Sequence, residues 1–204
     1  NFRVKADGIV YVSASRAVPV GRIEELLAER ADFLLNAAER LRERDNRNEI
    51  ENSVRWLGRE YPIRIIQGAR ETALLEQDEC RVFTRHGDDR EYVGRLIRQA
   101  QAARFSELCR ELDAEVRREL SAAGLTPPPT RISIKDMSSR WGSCSYTRGH
   151  ISVNFRLAAY PRETVLSVLW HEYAHYWHHD HSARFYAFVK RFFPEYDRWN
   201  GLLK

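Results

Sequence analysis

His171-Glu172-Tyr173-Ala174-His175, continued by Tyr176-Trp177-His178-His179-Asp180-His181, is the stretch from which the rest of the chain is read. Two histidines four residues apart on a helix leave the same face, about 6 Å apart along the axis, so both can reach one metal ion. The glutamate beside the first histidine is then placed to act on water at the metal rather than on the metal itself. Imidazole nitrogens bind zinc at about 2.0–2.1 Å, and three protein ligands leave a fourth position for water. With 7 histidines in 204 residues, about 0.02 chance matches to this pattern are expected, so accident is a poor explanation. A surface helix with scattered histidines is the remaining bland reading, and the flanks argue against it. Pro161 suits a first helical turn and Glu163 the positive end of the helix dipole. Val165, Leu166, Leu169, Trp170, Tyr173, Tyr176 and Trp177 give the helix a wide apolar surface, so it is buried and its histidines need partners.

The third ligand is sought by length. His178 falls on the same face as His171, but seven residues of helix span roughly 10.5 Å, whereas ligand atoms on one tetrahedral zinc lie about 3.5 Å apart. The third ligand therefore comes after the helix stops. His181 meets that condition, because Ser182 is a good N-cap for a new helix carrying Phe185, Phe188, Val189 and Phe192 and stopped near Pro194. His179, Asp180 and Glu195 stay open as alternatives, and His178 and His179 are expected around the site or on the surface.

Composition sets the outer bounds. A chain of 204 residues with 43% hydrophobic residues can bury a core in one or two domains. Cys80, Cys109 and Cys144 are odd in number and far apart, which points to free thiols and a reducing compartment. No apolar run approaches 18 residues and the start has no signal-peptide pattern, so a soluble, cytoplasmic protein with no membrane partner is expected. A short piece preceding Asn1 is expected too, since the chain opens without methionine directly in a strand-like pattern. The net charge of +4 would suit nucleic acid or nucleotide phosphates. The basic residues are interleaved with 29 acids rather than clustered, so ordinary solvated helix faces account for them better.

In chain order, residues 2–13 alternate loosely about Asp7-Gly8 and read as a hairpin. Pro19 and Gly21 introduce a helix with Ile23, Leu26, Leu27, Phe33, Leu34 and Leu41 at helical spacing, followed by a polar connection from Arg42 to Asn52. Trp56 to Ile66 gives two short strands around Gly58, and Cys80 to Thr84 a third. Asp88 or Asp89 caps a long helix running through Leu120 and closed by Gly124, and Pro127-Pro128-Pro129 forms a stiff joint. Beyond it, Arg131 to Met137, Ser138 to Ser145, and Ile151, Val153 and Phe155 after the Gly149 turn read as three strands. The fold class is α+β: an N-terminal α/β region over 1–126, then residues 130–204 with a small antiparallel sheet packed on the metal helix. An extended peptide can add to the edge of such a sheet and present its carbonyl to the ion.

Met137-Ser138-Ser139-Arg140-Trp141-Gly142-Ser143-Cys144-Ser145, then Gly149 to Leu157, His171 to His175, His181-Ser182-Ala183-Arg184-Phe185 and Pro194-Glu195-Tyr196 resemble the YgjP-like family of zinc metallopeptidases. Leu57-Gly58-Arg59-Glu60-Tyr61 extends the likeness to the front half. The resemblance implies a zincin-type C-terminal half with one zinc per chain on His171, His175 and His181 and with Glu172 as the catalytic glutamate. Tyr173, Asp180 and Tyr186 stand where the family more often has leucine, asparagine and tryptophan. Arg140 either holds a substrate carboxylate, phosphate or oxyanion or locks the sheet to the helix. Asn154 bonds either strand backbone or substrate, and Cys144 is read as a small buried cysteine rather than a reactive thiol. The expected activity is zinc-dependent hydrolysis of a peptide or protein substrate. Hydrolysis of a nucleotide such as UTP, and a nucleic-acid-associated binding module with structural zinc, are its rivals.

Overall fold

The computed structural model describes residues 2–4, 10–15, 18–31, 34 and 53–203. Contacts divide the chain into two compact units, Asn1–Glu51 and Asn52–Lys204. In the first unit, β1 (Phe2–Val4) pairs antiparallel with β2 (Val10–Val12), Phe2 opposite Val12. The Asp7-Gly8 turn expected between them lies outside the described residues. Helix α1 (Val20–Glu29) starts directly after Pro19, and Ile23, Leu26 and Leu27 share its half-buried face. The spacing extends the helix to Leu41; α1 itself ends at Glu29, and after a turn at Arg30 the backbone is helical again at Ala31 and Leu34. Phe33, Leu41 and the Arg42 to Asn52 connection lie outside the described residues.

The second unit opens with a four-stranded mixed sheet, order β3-β4-β6-β5: β3 (Ser53–Trp56), β4 (Arg59–Gln67), β5 (Thr72–Leu75) and β6 (Cys80–Thr84). Both residues of the β3–β4 turn have positive φ, Leu57 at 46° and Gly58 at 81°, as the two-residue turn that matches strand twist requires. Glycine adopts this freely, whereas leucine does so against its Cβ. The turn is held there by its surroundings, with Leu57 N–H donating to Ala158 O at 2.8 Å and Gly58 N–H to Ala159 O at 3.2 Å. A Cβ on Gly58 would press on Pro161. The tip of this hairpin is thus docked on the chain just ahead of the metal helix. Strand β5 carries no alternation and no β-branched residue after Thr72, which is why its pattern did not announce it.

Helix α2 (Arg90–Ala122) is capped by Asp89, whose carboxylate accepts from Tyr92 N–H at 2.9 Å. It ends with Gly124 at φ 74°, where Leu125 N–H reaches back to Leu120 O and Gly124 N–H to Ser121 O, satisfying carbonyls the helix leaves open. Its buried residues from Val93 to Leu120 pack on the first sheet at one end and on the metal helix at the other. α2 thus packs on elements from both sides of Pro127-Pro128-Pro129, within the compact unit Asn52–Lys204.

The second sheet comprises β7 (Arg131–Lys135), β8 (Gly142–Ser145) and β9 (His150–Asn154), in the order β7-β9-β8. It is mixed, not antiparallel as expected. A tight turn through Tyr146–Arg148 and Gly149 makes β8 and β9 antiparallel neighbours. β7 lies on the far side of β9 and runs parallel to it, Ile132 opposite Ile151, because the 136–141 connection carries the chain past β9 to its other edge. Gly149, at φ 56°, also lies so close to Pro129 O that a Cβ would collide with it. Helix α3 (Arg162–Ala174) follows a 3-10 turn, Phe155–Ala159, and is buried on nearly every side. α4 (Ala183–Phe192) and α5 (Tyr196–Asn200) close the unit, with Trp170 of α3 stacked on Phe192 at 5.0 Å. No helix of the described residues is long and apolar enough to cross a membrane.

Candidate metal centre

Helix α3 stops inside the motif. Ala174 is its last residue and His175 its C-cap, after which Tyr176 N–H and Trp177 N–H bond to Tyr173 O and Ala174 O in a tight turn. The chain then folds back, and His181 stands immediately before Ser182, the N-cap position of α4. Ser182 makes no side-chain cap; instead its N–H donates to Asp180 at 3.4 Å.

This return brings His171, His175 and His181 together as a group that could hold a metal ion, each offering a ring nitrogen within 4.8 Å of the others. The rings form a near-equilateral triangle, with centroids 5.1, 4.9 and 5.0 Å apart. Phe185, fully buried, backs all three from 4.8 to 4.9 Å. Nε2 of His171 lies 3.0 Å from Nε2 of His181, close to the ligand-to-ligand separation on a tetrahedral ion. The nitrogens turned away are occupied: His171 Nδ1 is 2.8 Å from the Tyr196 hydroxyl, and His175 Nδ1 donates to His178 O at 3.1 Å. Burial and the two neighbouring imidazoles push His171 down to about 4, so it is neutral with a lone pair to give. Neutral imidazoles with their outer nitrogens bonded are the donor set a metal such as zinc takes.

The other candidates for the third place lie elsewhere. His178 packs edge-on to Phe188, and His179 stacks on Tyr146 at 4.1 Å while its Nδ1 donates to His175 O. Asp180 is bonded to Ser182, and Glu195 pairs with Arg198 at 2.9 Å.

Glu172 is 5% exposed. Burial pushes its carboxyl up to about 8, against the pull of the Arg140 charge. Its carboxylate lies against the backbone of Gly142 so closely that any Cβ there would collide with it, which accounts for the glycine in the Arg140-Trp141-Gly142 element. Arg140 itself is exposed and makes no ion pair among the described residues. Trp141 donates from Nε1 to Leu203 O at 3.0 Å and meets Tyr160 edge-on, so the tryptophan is the locking member of the pair. Cys144 is half-buried, and burial together with the Glu172 charge raises it to about 11, a thiol rather than a thiolate. None of the three cysteines is bridged.

Asn154 is engaged with backbone. Its amide donates to Met137 O and Arg140 O, both at 2.8 Å, and its carbonyl accepts from Arg156 N–H at 3.2 Å. At 2% exposure it pins the loop that carries Arg140. Tyr196, by contrast, touches a metal-site histidine and was not singled out. It lies 25 residues from its partner, and no spacing rule connects them; the Pro194-Glu195-Tyr196 likeness was the one signal pointing there.

Comparison with curated proteins and with solved structures found no match for this chain. The family model for the YgjP-like metallopeptidase domain matches residues 1–204, and the chain belongs to the YgjP-like family.

Proposed function

We propose that the chain is a zinc-dependent peptidase in which His171, His175 and His181 hold the ion and Glu172 is the general base. The observation that carries this reading is the convergence of three imidazoles beside one buried carboxylate that stands outside their group. Zinc held there would supply a Lewis acid that polarises a carbonyl and lowers the pKa of water. Glu172 then takes the proton from the attacking water and returns it to the leaving amine, a contribution of typically 10²–10⁴-fold. It must be ionised to begin, and both Arg140 and a nearby cation favour that form.

The second sheet supports a peptide as substrate. β8 pairs with β9 on one side only, and Gly142 at its start touches Glu172. An extended peptide paired along the open side of β8 passes its backbone carbonyls across the catalytic group. A nucleoside triphosphate would need several cations, whereas among the described residues Arg140 is the one cation whose charge reaches Glu172. A purely structural zinc is usually closed by a fourth protein ligand, and no further His, Cys, Asp or Glu joins the group among the described residues.

Glu172→Gln tests the reading. The variant should bind zinc as the wild type does and lose hydrolysis of unstructured proteins by at least a hundredfold, with nucleoside triphosphates assayed in parallel. Near-normal turnover in Glu172→Gln would refute the general base, and turnover of triphosphates alone would refute the peptide.

A further inference from the structure

We infer that Tyr196 is a positioning residue for the metal-binding face of His171, and that the C-terminal segment 194–203 is therefore part of the metal centre. The inference rests on the metal reading above. Tyr196 is 2% exposed and its hydroxyl lies 2.8 Å from His171 Nδ1. His171 Nε2 faces the His181 ring, so the ring can present a lone pair to an ion from Nε2 only when its proton is on Nδ1. Nδ1–H then donates to the Tyr196 oxygen, and the phenol holds the tilt of the ring in that tautomer. His175 has its outer nitrogen on a backbone carbonyl, which can only accept. His171 instead relies on a side chain, and that side chain comes from a different helix.

That helix is tied in place at further points. Trp199 O accepts from Thr164 at 3.4 Å, and Leu203 O from Trp141 at 3.0 Å. Segment 194–203 is therefore bonded to the start of α3, to its metal-binding end and to the loop before Gly142. A phenol so anchored has little freedom to follow His171 if the ring turns, and that resistance makes it an orienting group rather than a neighbour.

Tyr196→Phe removes one oxygen and keeps the ring. Its zinc affinity, measured by competition with a chromogenic chelator, should fall 10–100-fold, while Tyr61→Phe in the first sheet leaves affinity unchanged. In a His171→Ala background the same Tyr196→Phe change should have no further effect on affinity. The Nδ1 proton of His171 in the zinc-loaded wild type should be a slowly exchanging NMR resonance, lost in Tyr196→Phe. Equal affinity in Tyr196→Phe and wild type overturns the proposal and leaves the metal reading standing; a wild type that binds no zinc overturns both. Should Tyr196→Phe fail to fold, the wild-type spectrum still decides, since a rapidly exchanging or missing Nδ1 proton on His171 overturns the assignment.

Discussion

Stripping the metal and raising the pH should weaken the protein in a window set by Glu172. Burial raises this carboxyl from its ordinary 4.5 to about 8 in the folded chain, so the folded state holds a proton that the unfolded state has released. Its stabilising contribution is complete below pH 4.5 and disappears as pH rises through 8, at about 1.36 kcal/mol per pH unit. His171 acts in the opposite sense. Its folded value of about 4 lies below its ordinary 6.5, so stability rises with pH between the two and is unaffected above 6.5. Below pH 6.5 that rise, reinforced by His175, whose pKa burial also lowers, offsets the Glu172 fall. Above it Glu172 acts alone, and about 2 kcal/mol should be lost between pH 6.5 and 8. Urea unfolding of chelator-treated protein at half-unit steps from pH 5.5 to 8.5 measures this directly. Glu172→Gln should abolish the fall. A metal-free wild type equally stable at pH 6.5 and 8, or the same fall in Glu172→Gln, would refute the assignment of the buried proton.

Three substitutions probe the frame around the site. His181→Ala should lose metal as completely as His171→Ala by elemental analysis; retention there with loss in His179→Ala or Glu195→Ala would name another ligand. Gly142→Ala forces a Cβ against the Glu172 carboxylate, and should cost about 1–3 kcal/mol in urea unfolding and lower hydrolysis with zinc still bound. Asn154→Ala removes the two donors to Met137 O and Arg140 O, at about 1 kcal/mol each; a loss under about 0.5 kcal/mol would mean that the loop holds itself.

The sequence was most legible where the physics is local. The four-residue spacing of His171 and His175, the helix start at Ser182, the Asp89 cap and the Gly124 stop each depend on a few consecutive residues, and the structure has a corresponding element at each. The length of a helical turn was enough to direct attention past His178 to chain that folds back. What pairs across distance was not legible. Nothing in Arg131 to Lys135 says that the strand lies parallel to β9 rather than beside β8, because direction is decided by the path of the 136–141 connection. Thr72 to Leu75 becomes a strand through β6, not through its own pattern. Nothing near Asn154 in the sequence points to Met137 O and Arg140 O as its partners. Tyr196 belongs to the centre through a fold that places the last helix beside the metal helix.

The end of α3 at His175 has an electrostatic consequence besides a geometric one. A helix gathers about half a negative charge on the open carbonyls of its last turn, and here that turn carries both His171 and His175. Imidazole ligands bring no negative charge of their own to offset a dication. The helix terminus supplies part of it, worth about 0.3–2 kcal/mol for a cation near the last turn. A helix that ran on past His178 would move that partial charge away from the ion. Stopping the helix within the motif therefore turns the backbone itself into a weak counter-charge for an ion held there.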